Sequence, residues 1–258
     1  MTAAPDPGRP SHRHRPLPTH RPSTDRPPGE SAGIVFDFLD SGQYDLLGAF
    51  WVTAKLALYS AIGSLIWGTA LVSMRVSPVP LMRSFGTAYV NLVRNTPLTV
   101  VLVGCLLGLN QTLGITLGGG RSEDIGFRLA VLGLVAYTGT FVCEALRSGI
   151  NTVPAGQAEA ARALGMSFTQ VLTVVVLPQA FRAAVTPLAN VLIALTKNTT
   201  VAAAIGAVDA AFLMKTMIEN ETDALFAVFA VFAFGFIVLT LPTGLILGWA
   251  AKRLAVKR

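Results

Sequence analysis

The chain has 258 residues, of which 52% are hydrophobic and only 13% are charged, and its formal net charge is +6. A soluble domain carries about twice that charged fraction, so the composition excludes an ordinary soluble protein. Nucleic-acid binding is not indicated either, because no basic run is interleaved with exposed aromatic residues. We therefore predict an integral membrane protein.

Residues 1–32 form a separate zone of composition, with eight of the fifteen prolines and all three histidines. Such a Pro-rich, charged segment buries too little apolar surface to fold, so we predict a disordered tail. A histidine metal tract and a contact with anionic lipids are the alternatives. Residues 33–45 mix apolar and acidic side chains, a pattern that fits an interfacial segment lying on the membrane.

Five apolar runs follow, each long enough to cross a bilayer as a helix. About 20 apolar residues suffice for a crossing, and residues 224–251 contain no Asp, Glu, Lys or Arg. A β-barrel is excluded, because its strands are about ten residues long and alternate in polarity. The sequence therefore predicts an all-α membrane domain over residues 46–251, with five transmembrane helices at 46–74, 84–109, 127–149, 180–206 and 224–251.

The charges of the connecting loops predict the orientation. Lys and Arg concentrate in cytoplasmic loops; here they mark residues 75–83, 147–182 and the basic tail 252–258, whereas loops 110–126 and 207–223 are mainly acidic. This places the N-terminus outside and the C-terminus inside. The arginines of the N-terminal tail oppose this orientation, but the nearest is about 20 residues from the first span, where the charge rule weakens.

Charged residues inside the predicted spans are costly in lipid and indicate functional sites. A fixed cation in a low-dielectric pathway attracts an anionic group, and neighbouring amides and hydroxyls replace lost water. The predicted substrate pathway comprises Arg94, Asn95 and Thr96 in the second span, Glu144 in the third, and Lys197, Asn198 and Thr199 in the fourth. Two structural alternatives stay open. In the first, Arg94 pairs with a carboxylate of a neighbouring subunit. In the second, Glu144 pairs with Arg147 on its own helix.

Other residues within the spans have structural interpretations. Cys105 and Cys143 lie in apolar runs without further ligands at metal-binding spacing, so we predict buried hydrophobic side chains and no metal site. Two glycine pairs at four-residue spacing allow close helix approach, either within the chain or at a subunit interface. These pairs are Gly104 with Gly108, and Gly244 with Gly248.

The segment 154–165 is a predicted cytoplasmic helix between the third and fourth spans. Pro154 near its start and Gly165 at its end are natural helix boundaries, and the alanines between them favour helix. Glu159 and Arg162 are three residues apart and are expected to pair on one face. A short helix with small side chains fits a groove on a partner protein.

The order Glu159-Ala160-Ala161, Gly165, Val175 and Leu177-Pro178 resembles the EAA motif of permease subunits of ATP-binding-cassette (ABC) importers. Val175 stands where that family more often has Ile. Three further segments resemble the polar amino acid branch of these permeases: Arg94-Asn95-Thr96-Pro97, the Ala-Tyr…Glu-x-x-Arg pattern from Ala136 to Arg147, and Lys197-Asn198-Thr199-Thr200. The resemblance covers about residues 46–251.

This resemblance implies the type I importer permease fold in a bacterial plasma membrane. It also implies that Glu159, Ala160, Ala161 and Gly165 couple the chain to an ATPase, and that the other partners are a second permease subunit and an extracytoplasmic binding protein. The acidic loops 110–126 and 207–223 are the natural docking surface for that protein. Because the chain has no Gly-x-x-x-x-Gly-Lys-Ser/Thr phosphate loop, ATP and Mg²⁺ belong to a separate ATPase dimer. We predict no catalytic residue and no cofactor in this chain.

The implied cargo is a polar amino acid. Two motifs look most like those of glutamate importers of Gram-positive bacteria: Thr138-Gly139-Thr140-Phe141 and Arg94-Asn95-Thr96-Pro97. Importers of glutamine or of the basic amino acids arginine and histidine are the alternatives. A secondary transporter driven by an ion gradient is a competing class, but no internal repeat typical of those folds is detectable. A membrane enzyme would need a cluster of His, Cys and carboxylates near one membrane face, which the spans lack.

Overall fold

A computed structural model of the chain describes residues 44–118 and 121–254. The predicted tail 1–32, nearly all of the interfacial segment 33–45 and the last four residues of the basic tail lie outside this part. The described residues are helical and contain no β-strand, which confirms the predicted all-α class. The helices are α1 (Leu46–Val76), α2 (Pro80–Arg94), α3 (Leu98–Thr112), α4 (Ser122–Asn151), α5 (Ala155–Ala163), α6 (Val171–Ile205), α7 (Ala210–Asn220) and α8 (Leu225–Leu254).

Four of these helices, α1, α4, α6 and α8, are long and apolar enough to cross a membrane. A fifth crossing requires α2 and α3 together, and the helix direction changes by 108° between them. The second predicted span, at 84–109, therefore corresponds to a bent helix pair. Pro97 explains the break, because it has no N–H to donate and its ring disfavours a helical conformation in the residue before it.

Two side chains stabilise the end of α2 at this bend. Asn95 Nδ2 donates to the carbonyl of Asn91 at 2.7 Å, and Thr96 Oγ1 donates to the carbonyl of Leu92 at 2.8 Å. These carbonyls have no helical N–H partner once the helix stops. The sequence therefore ends α2 and restarts the chain at Leu98 in a new direction.

Helices α1 and α4 form the central pair and run side by side in the same direction. A Cβ built on Gly68 would lie 2.5 Å from Val142 Cβ and 2.8 Å from the carbonyl oxygen of Gly139. Glycine is required here because the two backbones nearly touch. Gly149 makes a similar approach to α6, where an added Cβ would lie 2.3 Å from the carbonyl oxygen of Ala180.

The glycine pairs singled out by spacing behave differently. An added Cβ on Gly104, Gly108, Gly244 or Gly248 would meet no atom within 4 Å in the described part of the chain. Packing within the chain does not explain these residues, so that interpretation is wrong. Spacing alone did not distinguish glycines that face a neighbouring helix from glycines that face outward.

The hydrophobic core and the helix ends define two ends of the bundle. A buried cluster that includes Leu56, Leu102, Leu134 and Leu195 joins α1, α3, α4 and α6. We call the end that holds Val76, Asn151 and helix α5 the α5 end. The opposite end, which holds Leu46, Ser122 and helix α7, we call the α7 end; there α1, α7 and α8 share a second cluster built around Phe232.

Candidate functional site

Three charged side chains meet near the α5 end. One Nη of Arg75 forms a hydrogen-bonded ion pair with Glu144 Oε1, and Arg94 Nη1 lies 3.8 Å from the same oxygen. The side chains of Arg75, Glu144 and Arg94 are 6%, 30% and 41% exposed. We call these three residues the charge cluster. It pairs two guanidinium groups with one carboxylate, and Arg94 is its most accessible member.

Each member of the charge cluster comes from a different helix. Arg75 lies in the last turn of α1, Arg94 is the last residue of α2 before the bend, and Glu144 lies in α4. The pairing of Glu144 with Arg147 is wrong, since Arg147 is exposed and Glu144 is paired across helices. Within this chain the carboxylate nearest to Arg94 is that of Glu144, and pairing of Arg94 with another subunit stays a prediction.

Arg75 was missed by sequence reasoning, which assigned it to a basic loop. The one signal in the sequence was its position in the last turn of a long apolar helix. Its guanidinium also lies 3.9 Å from the sulfur of the buried Cys143. The arginine is thus built into the contact between α1 and α4.

A chain of hydrogen bonds, which we call the relay, connects α1, α2 and α4 next to the charge cluster. Trp67 Nε1 donates to Tyr89 Oη at 3.1 Å, and Tyr89 Oη donates to the carbonyl of Ala136 at 3.1 Å. The Trp67 and Tyr89 rings also pack edge to face with centroids 5.6 Å apart. Helices α1, α2 and α4 are therefore held in a fixed relation on the side of the cluster that leads to the α7 end.

The other predicted pathway residues are divided between exposed and buried positions. Lys197 is exposed and Asn198 is half-buried at the end of the α-helical part of α6. Thr199 is fully buried, and its hydroxyl donates to the carbonyl of Thr196 at 2.8 Å. The Thr199 side chain thus stabilises the turn to 3₁₀ geometry, and its predicted place in the pathway stays a prediction. Asn95 is exposed and Thr96 half-buried, and each uses a donor to cap α2.

The bend after α2 and the Lys197 segment lie near one another. Leu98, which follows Pro97, and Leu195, which precedes Lys197 by two residues, belong to the same buried cluster. The 3₁₀ turns that end α6 pack against α3 through this cluster. The fold thus places the Lys197 segment near the bend, as the charge cluster places Glu144 beside Arg94.

Helix α5 ends in a Schellman motif at the α5 end. Gly165 has a φ of +85°, the Gly165 N–H donates to the carbonyl of Arg162, and the Met166 N–H donates to the carbonyl of Ala161. A left-handed glycine at this position is the usual way to satisfy the last carbonyls of a helix. Gly165 therefore has a conformational role that a residue with a Cβ resists.

The surface of α5 differs from the expected one. Ala161 is buried and anchors the helix, and its predicted role in coupling stays a prediction. Glu159 and Ala160 are exposed, and within the described part of the chain Glu159 and Arg162 form no ion pair. Leu164 is 85% exposed beside Gly165. Sequence reasoning missed this leucine, although it interrupts a run of small side chains.

Helix α5 is tied to the start of α6 by side-chain amides. Gln179 Nε2 donates to Gln157 Oε1 at 2.7 Å and to the carbonyl of Val175 at 2.9 Å. The preceding turns, Val171–Val176, are π-helical. Pro178 lacks an N–H for the carbonyl four residues earlier, and a wider π turn accommodates such a gap. The Leu177-Pro178 step thus lies inside a continuous helix.

A buried carboxylate lies at the α7 end. Asp209 is fully buried and caps α7, with Oδ1 accepting the Phe212 N–H at 3.0 Å, whereas Oδ2 has no hydrogen-bond partner among the described residues. Burial raises the pKa of Asp209 to about 6, although the Phe212 N–H opposes the shift. Thr53 of α1 accepts the Ala210 N–H at 3.0 Å. Asp209 was expected on an acidic docking surface, and its burial corrects that prediction.

The α7 end also contains an open cavity of about 740 Å³. Its walls come from the start of α1, the start of α4 and the segment before α7. Both signs of charge line it, from Asp45, Lys55, Glu123, Asp124 and Arg128. Within the described part of the chain, no group of three His, Cys, Asp or Glu side chains is placed to hold a metal ion, and both cysteines are free thiols.

Comparison with known proteins matches the chain to one family and to permease proteins of amino acid transport systems. The family described as "Binding-protein-dependent transport system inner membrane component" matches residues 64–256. The glutamate transport system permease protein GluC of Corynebacterium glutamicum is 59% identical over 217 residues, which cover 83% of this chain and 95% of that relative. The probable glutamine ABC transporter permease protein GlnM of Bacillus subtilis is 30% identical over 208 residues, or 81% and 92% of the two chains.

A solved structure matches the fold over nearly its whole length. It is the crystal structure of an amino acid ABC transporter with histidines, with a TM-score of 0.69 and 25% sequence identity. The match covers 86% of this chain and 97% of the solved one. The bent α2–α3 pair and the loop helix α5 therefore occur within a fold already seen in a transporter.

Proposed function

The chain belongs to the family of binding-protein-dependent transport system inner membrane components, and from this we propose that it is the translocation subunit of an ATP-driven importer of glutamate. It is a multi-pass protein of the bacterial plasma membrane with the fold of ABC importer permeases. The predicted family and fold are thereby confirmed. The observation that carries the proposal is 59% identity to a glutamate permease over most of both chains.

The cargo assignment is supported by that relative and by the charge cluster. A permease named for glutamine is only 30% identical, so glutamate is preferred over glutamine as the first cargo. Arg94 presents a partly exposed guanidinium beside a bend in the helix path. Arginine binds carboxylates through two parallel hydrogen bonds, which suits an acidic amino acid. Import of glutamine is the second candidate function.

The proposed energy source is a separate ATPase dimer that binds ATP and Mg²⁺ and docks at the α5 end. Glu159, Ala160 and Leu164 are exposed on or beside α5, and an exposed leucine next to small side chains fits a cleft on a partner. Gly165 sets the end of the helix, and Ala161 holds it against the start of α6. Gln157 and Gln179 give α5 a direct connection to a membrane span.

The orientation and the remaining partners follow from the same proposal. The α5 end faces the cytoplasm, and the α7 end, with its cavity and acidic residues, faces an extracytoplasmic binding protein. The N-terminus is then outside and the C-terminus inside. A second permease subunit, of the same or a different sequence, completes the pathway, because α8 and the outward glycines leave large apolar surfaces uncovered in this chain.

The test is uptake of labelled glutamate into proteoliposomes that contain this chain with its partner permease, ATPase and binding protein. We expect uptake that requires ATP and the binding protein, and that unlabelled glutamate suppresses more strongly than glutamine or arginine. Uptake by this chain alone under an ion gradient would instead identify a secondary transporter. Preferential suppression by glutamine would support the second candidate function.

A further inference from the structure

We propose that the charge cluster is a specificity element in which the Glu144 carboxylate occupies the place at Arg94 that a cargo carboxylate takes during transport. This inference rests on the proposed function and deepens it, because it assigns the preference for acidic cargo to three residues of the membrane domain. Arg75 has the new role of holding Glu144 when cargo takes its place at Arg94.

The two arginines hold Glu144 unequally, and this inequality supports the exchange. Arg75 is 6% exposed and makes the direct hydrogen-bonded pair, whereas Arg94 is 41% exposed and lies 3.8 Å from the same oxygen. An N–O separation of 3.8 Å is too long for a hydrogen bond. Arg94 can therefore turn toward another carboxylate while Glu144 keeps its direct partner.

The charge balance supports the same conclusion. The charge cluster contains two positive side chains and one negative side chain, and neither arginine has another carboxylate partner within the described residues. One positive charge is left over at the accessible arginine. A cargo of charge −1 neutralises this excess, a neutral amide does not, and a basic amino acid adds to it. Glutamate fits this balance, and the side chain of Glu144 is chemically the same acid.

The bend after Arg94 explains why the exchange need not break the fold. Arg94 is the last residue of α2, and the next two residues leave the helix. The Trp67–Tyr89–Ala136 relay holds the preceding turns of α2 to α1 and α4. Movement of the Arg94 side chain therefore leaves the three-helix contact intact, whereas movement of Arg75 would open the contact between α1 and α4.

A purely structural role predicts a different outcome from a specificity role. If the Arg75–Glu144 pair only holds α1 to α4, substituting either residue weakens the binding of every cargo by the same factor. If the cluster selects charge, removing a positive charge and removing the negative charge change the preference in opposite directions. The discriminating quantity is the ratio of the dissociation constants for glutamine and glutamate.

The experiment measures equilibrium binding of labelled L-glutamate and L-glutamine to the purified permease–ATPase complex in nanodiscs, without the binding protein. For Arg75→Gln we expect this ratio to fall roughly tenfold, because Glu144 then pairs fully with Arg94. For Glu144→Gln we expect the ratio to rise by a similar factor. Arg75→Lys keeps the charge and should stay near the wild-type ratio. Arg83→Gln, an exposed position on α2, is the matched control and should leave the ratio unchanged.

The outcomes separate this inference from the proposed function. Equal shifts for both ligands, or shifts of the ratio in the same direction in Arg75→Gln and Glu144→Gln, overturn the role of the cluster. A wild-type complex that imports glutamate but does not prefer it in nanodiscs also overturns that role and leaves the proposed function intact. A complex that imports no amino acid overturns the proposed function itself. If Arg75→Gln does not assemble, the rise expected for Glu144→Gln decides the question.

Discussion

Each end of the helix bundle holds a carboxylate that is partly or wholly withdrawn from water, and the two are stabilised in different ways. At the α5 end, Glu144 is paired with arginines from two other helices, one of them 69 residues away in the chain. At the α7 end, Asp209 accepts a backbone N–H three residues ahead, and its second oxygen has no partner in the described part of the chain. Ion pairing joins distant helices, whereas capping stabilises only a local turn.

This difference matches the work proposed for the two ends. A carboxylate shared by α1, α2 and α4 responds when any of those helices moves, which suits the end at which we propose that the ATPase docks. A buried carboxylate without a cation responds to protons instead. Variants at the two ends test this contrast between ion pairing and capping.

The largest effect is expected for Gly149→Ala. The added Cβ would lie 2.3 Å from the carbonyl oxygen of Ala180 and 2.9 Å from Ala184 Cβ, so α4 and α6 must separate. We expect a loss of stability of about 3 kcal/mol, since overpacking against a backbone is not relieved by a side-chain rotation. Thermal unfolding of the purified complex measures it. Gly156→Ala is the control, because its Cβ meets nothing within 4 Å.

The next effect is a pH dependence at Asp209. Because burial raises the pKa of Asp209 to about 6, the folded state prefers the protonated acid. Its contribution to stability is complete below about pH 4 and is lost as pH rises through 6. Asp209→Asn keeps the cap without titrating. We expect the variant to gain up to about 3 kcal/mol relative to wild type between pH 4 and 7, measured by unfolding at each pH. A constant difference across that range would contradict the buried state of Asp209.

A smaller effect is expected when the pair at the α5 end is broken. Arg75→Met removes the buried partner of Glu144 and leaves the more exposed Arg94 as its replacement. We expect a loss of about 2 kcal/mol, because the new pair no longer joins α1 to α4 and Glu144 is partly solvated. The double variant Arg75→Met/Glu144→Gln should recover part of this loss, since the carboxylate that lost its direct partner is then absent. Lys215→Met tests an exposed pair with Glu219 and should change stability by less than about 0.5 kcal/mol. Equal losses at the two sites would remove the distinction between the charge cluster and an ordinary surface pair.

The smallest change in stability is expected at the end of α5. Gly165→Ala forces a Cβ into a left-handed conformation at φ +85°, at a cost of about 1 kcal/mol. The loss should be confined to α5, so hydrogen exchange should quicken at its last amides and not in α4. Uniform exchange changes across both helices would show that α5 is not a separately stabilised element.

Features set by neighbouring residues could be predicted from the sequence, whereas contacts between distant residues could not. The short helix before Gly165 follows from Pro154, the alanines and the glycine, all within twelve residues. The pairing of Arg75 with Glu144 depends on the parallel register of α1 and α4, which no local pattern encodes. Ala161 and Leu164 are three residues apart, yet one is buried and the other exposed, because the position of α6 decides which face of α5 is covered. Asp209 appeared to be one of several acidic loop residues, and only the fold revealed its burial.

The central claim is that the α5 end transmits ATP hydrolysis to transport, and Leu164 tests it most directly. In reconstituted importers, the number of glutamate molecules imported per ATP hydrolysed should fall roughly tenfold in Leu164→Asp, because a charge would enter an apolar docking contact. Leu164→Met keeps the apolar contact and should retain the wild-type ratio. An unchanged ratio in Leu164→Asp, with the same amount of ATPase co-purifying, would contradict the account.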